Sequence, residues 1–182
     1  MNATNLQYDK AIKICRTLFS KKTGDYGSSW TVLRPVSIVD QIFIKAQRIR
    51  TIQEKKQQMI GDNIRSEFVG IVNYGVIGLI QLEYQPEGKE VDTKTVESWY
   101  DGKTALCRSL MLDKNHDYGE AWRSMSQESF ADLILMKLMR IRQILTNNGK
   151  TSVSEGIDAN FIDIVNYSLF ALILIDEGKH AG

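Results

Sequence analysis

The residues in this chain whose types and spacing could do chemistry are acidic and amide side chains. His116, His180, Cys15 and Cys107 fall at no metal-ligand spacing, and the chain lacks the material for a Ser-His-Asp or Cys-His arrangement. At about 100° per residue, Glu155, Asp158, Asp163 and Asn166 fall within an arc of about 140° on one face of a C-terminal helix. Four oxygen donors facing one way are what a hard cation such as Mg²⁺ takes, since it binds oxygen and usually keeps water. An alternative serves Glu155 and Asp158: both would lie in the first turn, where negative charge favours the positive end of a helix. Asp163 and Asn166 lie deeper in an apolar run, where an unpaired polar group costs several kcal/mol, so they need a cation, hydrogen-bond donors or water.

The donors come from the preceding helix, where Asp132, Lys137, Arg140 and Arg142 repeat Asp40, Lys45, Arg48 and Arg50. Lys137 and Arg140 are three residues apart, so they adjoin on a helix surface and form a basic edge that could hold a phosphate. A buried Asp-Lys-Arg ion-pair network between helices reads the same residues without chemistry. The Asp-Tyr-Gly-x-x-Trp loops put two aromatic rings beside a glycine. They could stack a nucleobase, or serve packing, with Asp25 and Asp117 bonding turn amides, Gly in a left-handed turn and the rings closing the core. Cys15 and Cys107 sit on apolar helix faces as core residues.

An internal repeat positions these groups. Sliding the sequence by 92 residues aligns Tyr8–Ile52 with Tyr100–Ile144 without a gap, and 18 of those 45 pairs are identical. Chance predicts about three from average residue usage. K-x-x-D-Y-G-x-x-W occurs as Lys22, Asp25, Tyr26, Gly27, Trp30 and as Lys114, Asp117, Tyr118, Gly119, Trp122. After one inserted residue the register resumes, with Ile71-Val72-Asn73-Tyr74 matching Ile164-Val165-Asn166-Tyr167. The chain therefore divides into unit one (1–85), a linker (86–93) and unit two (94–182). The linker's Pro, Gly and charges are expected neither to continue a helix nor to enter a core.

Each unit reads as three helices. The first carries apolar Ala11, Ile14, Cys15, Leu18 and Phe19, or Ala105, Leu106, Cys107, Leu110 and Met111. The second spans about Ser37–Gln58 and Glu128–Leu145, and the third about Asn63–Tyr84 and Ser154–Glu177. The third helices are the most apolar and belong at the centre, where pairing the units about a pseudo-twofold axis buries both. The fold class expected is all-α, two tandem three-helix units in one helical bundle. A net charge of +1 removes the field of a general nucleic-acid binder. The N-terminal stretch lacks a basic region followed by an apolar run of signal-peptide length, so the expectation is a cytoplasmic protein with free thiols. The apolar run Phe161–Ile175 is shorter than the ~20 residues of a membrane span and contains Asp163, Asn166 and Ser168, so no membrane partner is expected.

With K-x-x-D-Y-G-x-x-W, then D-x-x-x-x-K-x-x-R-I, then E-x-x-x-x-x-x-x-D-x-x-N-Y, the chain resembles the nucleotide modification associated helical domains over nearly its whole length. More distantly it is similar to the all-α nucleoside triphosphate pyrophosphatases of the MazG and dimeric dUTPase type, with the tandem looking like a fused dimer. That likeness implies a MazG-like fold and a hydrolase in which Mg²⁺-dependent attack of water on a nucleoside triphosphate releases pyrophosphate. It places the catalytic set at Asp132, Lys137, Arg140, Glu155 and Asp163, with Asp132, Glu155, Asp158 and Asp163 on the metal. It places nucleotide contacts at Lys114, Asp117, Tyr118, Trp122, Asn166 and Tyr167. In unit one Asp62 stands for Glu155, Asn73 for Asn166, Gly70 for Asp163 and Arg65 for Asp158, so the likeness implies a degenerate site there. Unit two departs too: the pyrophosphatase pattern has paired glutamates and E-x-x-D, whereas Asn160 stands three before Asp163. The competing reading is a non-catalytic helical interaction or scaffold module whose acidic and basic residues are interhelical ion pairs. The partner expected is a nucleotide or nucleoside triphosphate. A homo-oligomer stays open, and nucleic acid is disfavoured by the charge balance.

Overall fold

The computed structural model describes residues 3–56, 61 and 63–182. It is all-α: α1 (Ala3–Tyr26), α2 (Pro35–Lys55), α3 (Ile64–Tyr84), α4 (Thr93–Tyr118), α5 (Gln127–Thr146) and α6 (Ile157–Asp176). Short 3-10 turns, Ser29–Val32 and Ala121–Ser124, follow α1 and α4. The chain chemistry accounts for the ends. Pro35 occupies the first turn of α2, where its missing N–H is not needed. Asn63, Asp92 and Ser126 accept from Ser66 N (2.9 Å), Thr95 N (3.0 Å) and Ser129 N (3.2 Å), which caps α3, α4 and α5. Gly27 and Gly119 adopt φ of 62° and 61° and stop the first helix of each unit.

α3 and α6 form the centre and pack on one another, with α2 beside α3, α5 beside α6, and α2 against α5 across the units. Gly75 and Gly78 permit the central approach. A Cβ at Gly75 would stand 2.7 Å from Val165 Cγ2, and one at Gly78 would stand 2.8 Å from the Phe161 ring. The matching positions in α6, Ser168 and Ala171, are also small and fully buried. Two hydrogen-bonded clamps then lock the units with pseudo-twofold symmetry. Tyr8 Oη donates to Asn166 Oδ1 (2.6 Å) while Asn166 Nδ2 donates to Cys107 O (3.2 Å). Tyr100 Oη donates to Asn73 Oδ1 (2.8 Å) while Asn73 Nδ2 donates to Cys15 O (3.2 Å). Each asparagine thus holds the first helix of its own unit and the tyrosine of the other. By length and composition α6 could cross a membrane, but most of it is buried against the other helices.

The structure corrects several expectations. The expected end of the second helix at Gln58, and Asp62, lie outside the described residues. α6 starts at Ile157 behind the N-cap Gly156, so Glu155 belongs to the preceding loop and not to the helix. Ala105 and Leu106 face solvent. α4 instead turns in Val96, Tyr100, Lys103, Thr104, Cys107 and Met111, with Lys103 paired to Glu83. The linker does touch a core, because Pro86 is buried and Val91 packs on the apolar cluster. Gly88 N donates to Thr31 O (3.0 Å) and Val91 N to Ser28 Oγ (2.8 Å), so the linker is stitched to the first 3-10 turn.

Candidate functional site

In unit two the geometry centres on Asp163 of α6, which is buried. Lys114 of α4 approaches Oδ1 at 2.6 Å and Lys137 of α5 approaches Oδ2 at 2.6 Å. Lys137 is itself only 7% exposed. Two ammonium groups therefore occupy both oxygens of one carboxylate, bringing three helices to a point. Burial is the largest single influence and pushes the Lys114 ammonium down, but its hydrogen bond to Asp163 and the charge of that carboxylate together leave its pKa raised, so it stays charged at neutral pH. Burial likewise raises the Tyr167 hydroxyl, helped by the nearby Asp163 charge.

The other expected residues go elsewhere. Asp132 is exposed and faces Arg50 of α2 at 3.8 Å, matching the Asp40–Arg142 pair at 2.8 Å, so it serves the seam between units. Glu155 and Arg140 are exposed on a shallow groove at the end of α5 that also reaches Asn160. Asp158 is exposed in the first turn of α6, its carboxylate close to Gly156. Asp117 is exposed beside His116 Nδ1 (3.1 Å), and Tyr118 is exposed as well, so the motif tyrosines do not close the core. Trp122 is buried, stacks on Phe170 with centroids 4.3 Å apart and planes 6° apart, and donates from Nε1 to Asn115 Oδ1 (3.1 Å). Asn166 is held by Tyr8 and Cys107. Of the expected set, then, Asp163, Lys137 and Lys114 come together, while Asp132, Glu155 and Asp158 do not join them.

This arrangement does not fit Mg²⁺. The oxygens a metal would take from Asp163 are held by ammonium groups, and among the described residues no three His, Cys, Asp or Glu side chains gather to hold an ion.

Unit one solves the same problem differently. Its buried carboxylate is Glu67, one turn before Gly70, and it pairs with Lys45 (3.2 Å) and Arg48, the counterparts of Lys137 and Arg140. The two third helices thus read Glu67-x-x-Gly70 and Asn160-x-x-Asp163, each keeping one acid at alternate positions. The sequence signal for Glu67 was its alignment with Asn160, three before the Asp163 position, once the inserted residue is allowed. Beside Glu67 lies a cavity of about 560 Å³ bounded by α1, α2, α3 and the first 3-10 turn. Trp30, Tyr74, Lys22, Lys45, Glu67 and Gly70 line it. The Trp30 indole Nε1–H is buried without a hydrogen-bond partner among the described residues.

A family model described as nucleotide modification associated domain 1 matches residues 22–82 and again 114–175. The chain belongs to this family. Its description links the nucleotide modification associated domain to nucleotide modification. No curated protein and no solved structure matches the chain. Each matched copy of the domain begins at the motif lysine, Lys22 or Lys114, and runs through the third helix. Each therefore contains both halves of its own unit's buried ion pairs, Glu67 with Lys45 and Arg48 or Asp163 with Lys114 and Lys137, together with the tryptophan turn. The clamp tyrosines Tyr8 and Tyr100 fall outside the matched segments, on the helices that fasten one copy of the domain to the other.

Proposed function

We propose that this tandem nucleotide modification associated domain protein binds a nucleotide without hydrolysing it. The observation that carries this reading is the double engagement of Asp163 by Lys114 and Lys137. Metal-assisted phosphoryl chemistry needs carboxylates free to hold the ion on both sides of the phosphate. Releasing Asp163 for that purpose would leave Lys137 buried without a counter-charge, a change that costs about 3–5 kcal/mol in comparable buried pairs. The carboxylates are therefore better read as interhelical struts. The family description, the aromatic turns and the lysines beside them support a nucleotide as the ligand.

The test pairs two assays on the full chain. Pyrophosphate and phosphate release from a panel of nucleoside triphosphates with Mg²⁺ or Mn²⁺ is expected to equal the protein-free blank. Thermal melting with nucleotides and no divalent metal is expected to show a raised melting temperature, since a ligand bound only by the native state stabilises it. Turnover that disappears in Asp163→Asn would overturn the reading, as would melting temperatures unmoved by every nucleotide tried.

A further inference from the structure

The two units share one architecture, so unit two shows with its own side chains which groups the unit-one cavity lacks. At the tryptophan, Trp122 lies under the Phe170 ring, whereas Trp30 has Ile77 at the matching position and no ring stacked on it among the described residues. At the indole N–H, Trp122 bonds Asn115 Oδ1, whereas the matching Thr23 donates its hydroxyl to Phe19 O (3.0 Å) and Trp30 Nε1 stays unpaired. At the lysines, Lys114 and Lys137 meet on Asp163. Their counterparts Lys22 and Lys45 line the unit-one cavity together with Gly70, which stands at the aspartate position, and Lys22 makes no ion pair among the described residues. Lys45 shares Glu67 with Arg48 and leans over the bare Cα of Gly70, where an added Cβ would stand 2.8 Å from its Cε.

Three groups present in unit two are thus missing from the matching places of unit one: a planar ring on the tryptophan, a hydrogen-bond acceptor at its N–H and a carboxylate at the Asp163 position, the unit-one acid lying one turn earlier at Glu67. A buried donor without an acceptor is costly, and an unstacked tryptophan beside an open cavity is free to meet a planar ligand. The cavity, about 560 Å³, lies in the range of small-molecule sites. We infer that it binds a nucleoside monophosphate, the base on Trp30 in place of the Phe170 ring and the phosphate between Lys22 and Lys45 in place of the Asp163 carboxylate. This rests on the nucleotide-binding reading above and assigns the site to the unit that lacks the buried aspartate. A monophosphate suits it better than a triphosphate because Glu67, already in the wall, repels each further phosphate.

The experiment is calorimetric titration of the full chain, without divalent metal, with the common nucleoside 5′-monophosphates, the matching nucleosides and inorganic phosphate. At least one monophosphate is expected to bind at one site per chain, at least about tenfold tighter than its nucleoside or phosphate alone, because charge-assisted contacts add to stacking. The decisive variant is Glu67→Asn/Gly70→Asp, which writes the unit-two pattern into unit one and gives Lys22 and Lys45 an internal partner. It is expected to weaken the monophosphate at least about tenfold while melting no lower than the parent chain. Lys22→Met, at an exposed position, gives an independent arm and is expected to weaken the monophosphate but not the nucleoside. Equal affinity in the folded double variant, or in Lys22→Met, would overturn the site while leaving nucleotide binding standing. No binding of any nucleotide by the parent chain would overturn both.

Discussion

Unit two and unit one meet the same requirement, a carboxylate inside the bundle, with opposite consequences for the space around it. In unit two the acid sits at Asp163, where both lysines reach it, and Trp122 is covered by Phe170 and bonded to Asn115, so the interior is filled by the chain itself. In unit one the acid sits one turn earlier at Glu67, Gly70 takes the aspartate position, and the tryptophan is left unstacked and unbonded beside a cavity. Moving one charge by a single helical turn converts a closed strut into an open site. Helix order is shared by the two units, and the difference at the site follows four aligned pairs: Gly70/Asp163, Glu67/Asn160, Ile77/Phe170 and Thr23/Asn115.

The comparison can be broken most forcefully at the acids. Asp163→Asn is expected to cost about 3–5 kcal/mol in urea unfolding, because Lys137 is left buried and unpaired. Glu67→Gln is expected to cost only about 1–2 kcal/mol, because Lys45 and Arg48 are 28% and 22% exposed and keep access to water. Equal losses would mean that the two units are not differently built. Where the units are alike, the effects should match. Asn166→Ala and Asn73→Ala are each expected to lose about 2 kcal/mol, since each strands a buried tyrosine hydroxyl and a helix carbonyl. A marked inequality in their unfolding midpoints would argue against a symmetric clamp.

Glycine substitutions sharpen the contrast further. Gly78→Ala should cost about 1–3 kcal/mol, because its Cβ would press on the Phe161 ring in the packed centre. Gly70→Ala meets only the movable end of Lys45, and the gain of up to about 1 kcal/mol from helix propensity should leave it neutral or slightly stabilising in thermal melts. The smallest effect concerns Glu177, which has no acidic counterpart in unit one. Lys179 (2.8 Å) above all, with Gln7 (2.6 Å) and Arg123 (3.0 Å), holds its carboxyl down to about 2 against the burial that would raise it. A depressed carboxylate stabilises above its unfolded pKa and loses that contribution as pH falls through the folded one. Glu177→Gln should therefore lower stability by about 1 kcal/mol at pH 7, with the difference fading from about pH 4.5 towards pH 2.

Much of the architecture was legible because it is periodic. The repeat set two units, helical spacing placed Cys15, Cys107, Phe19 and Met111 inside, and the apolar third helices announced the centre. The site was read less well, for specific reasons. The family likeness put Asp132 in the site, but five residues before Lys137 it lies about 140° round the helix, and the sequence does not say that α2 lies alongside α5, where Arg50 meets that aspartate. Glu155 looks helical by charge, yet Gly156 caps α6 after it. Lys103 sits where Ala11 sits in unit one, so the inward face of α4 breaks the apolar pattern, and Ala105 and Leu106 drew the eye to the wrong side. Glu67 was passed over because the acid of unit one was sought at Gly70, the Asp163 position, and not three residues earlier at the Asn160 position. Buried Lys137 was expected as half of either a phosphate site or an ion pair, and only the second lysine, Lys114, distinguishes the two.

The most direct measurement labels the chain with 5-fluorotryptophan, which gives one ¹⁹F resonance for each of Trp30, Trp99 and Trp122, assigned by Trp→Phe variants. On titration with a nucleoside monophosphate the Trp30 resonance should shift saturably while Trp122, stacked and bonded within its own unit, stays in place. A saturable shift at Trp122 with Trp30 unmoved would contradict the division into an open unit and a closed one.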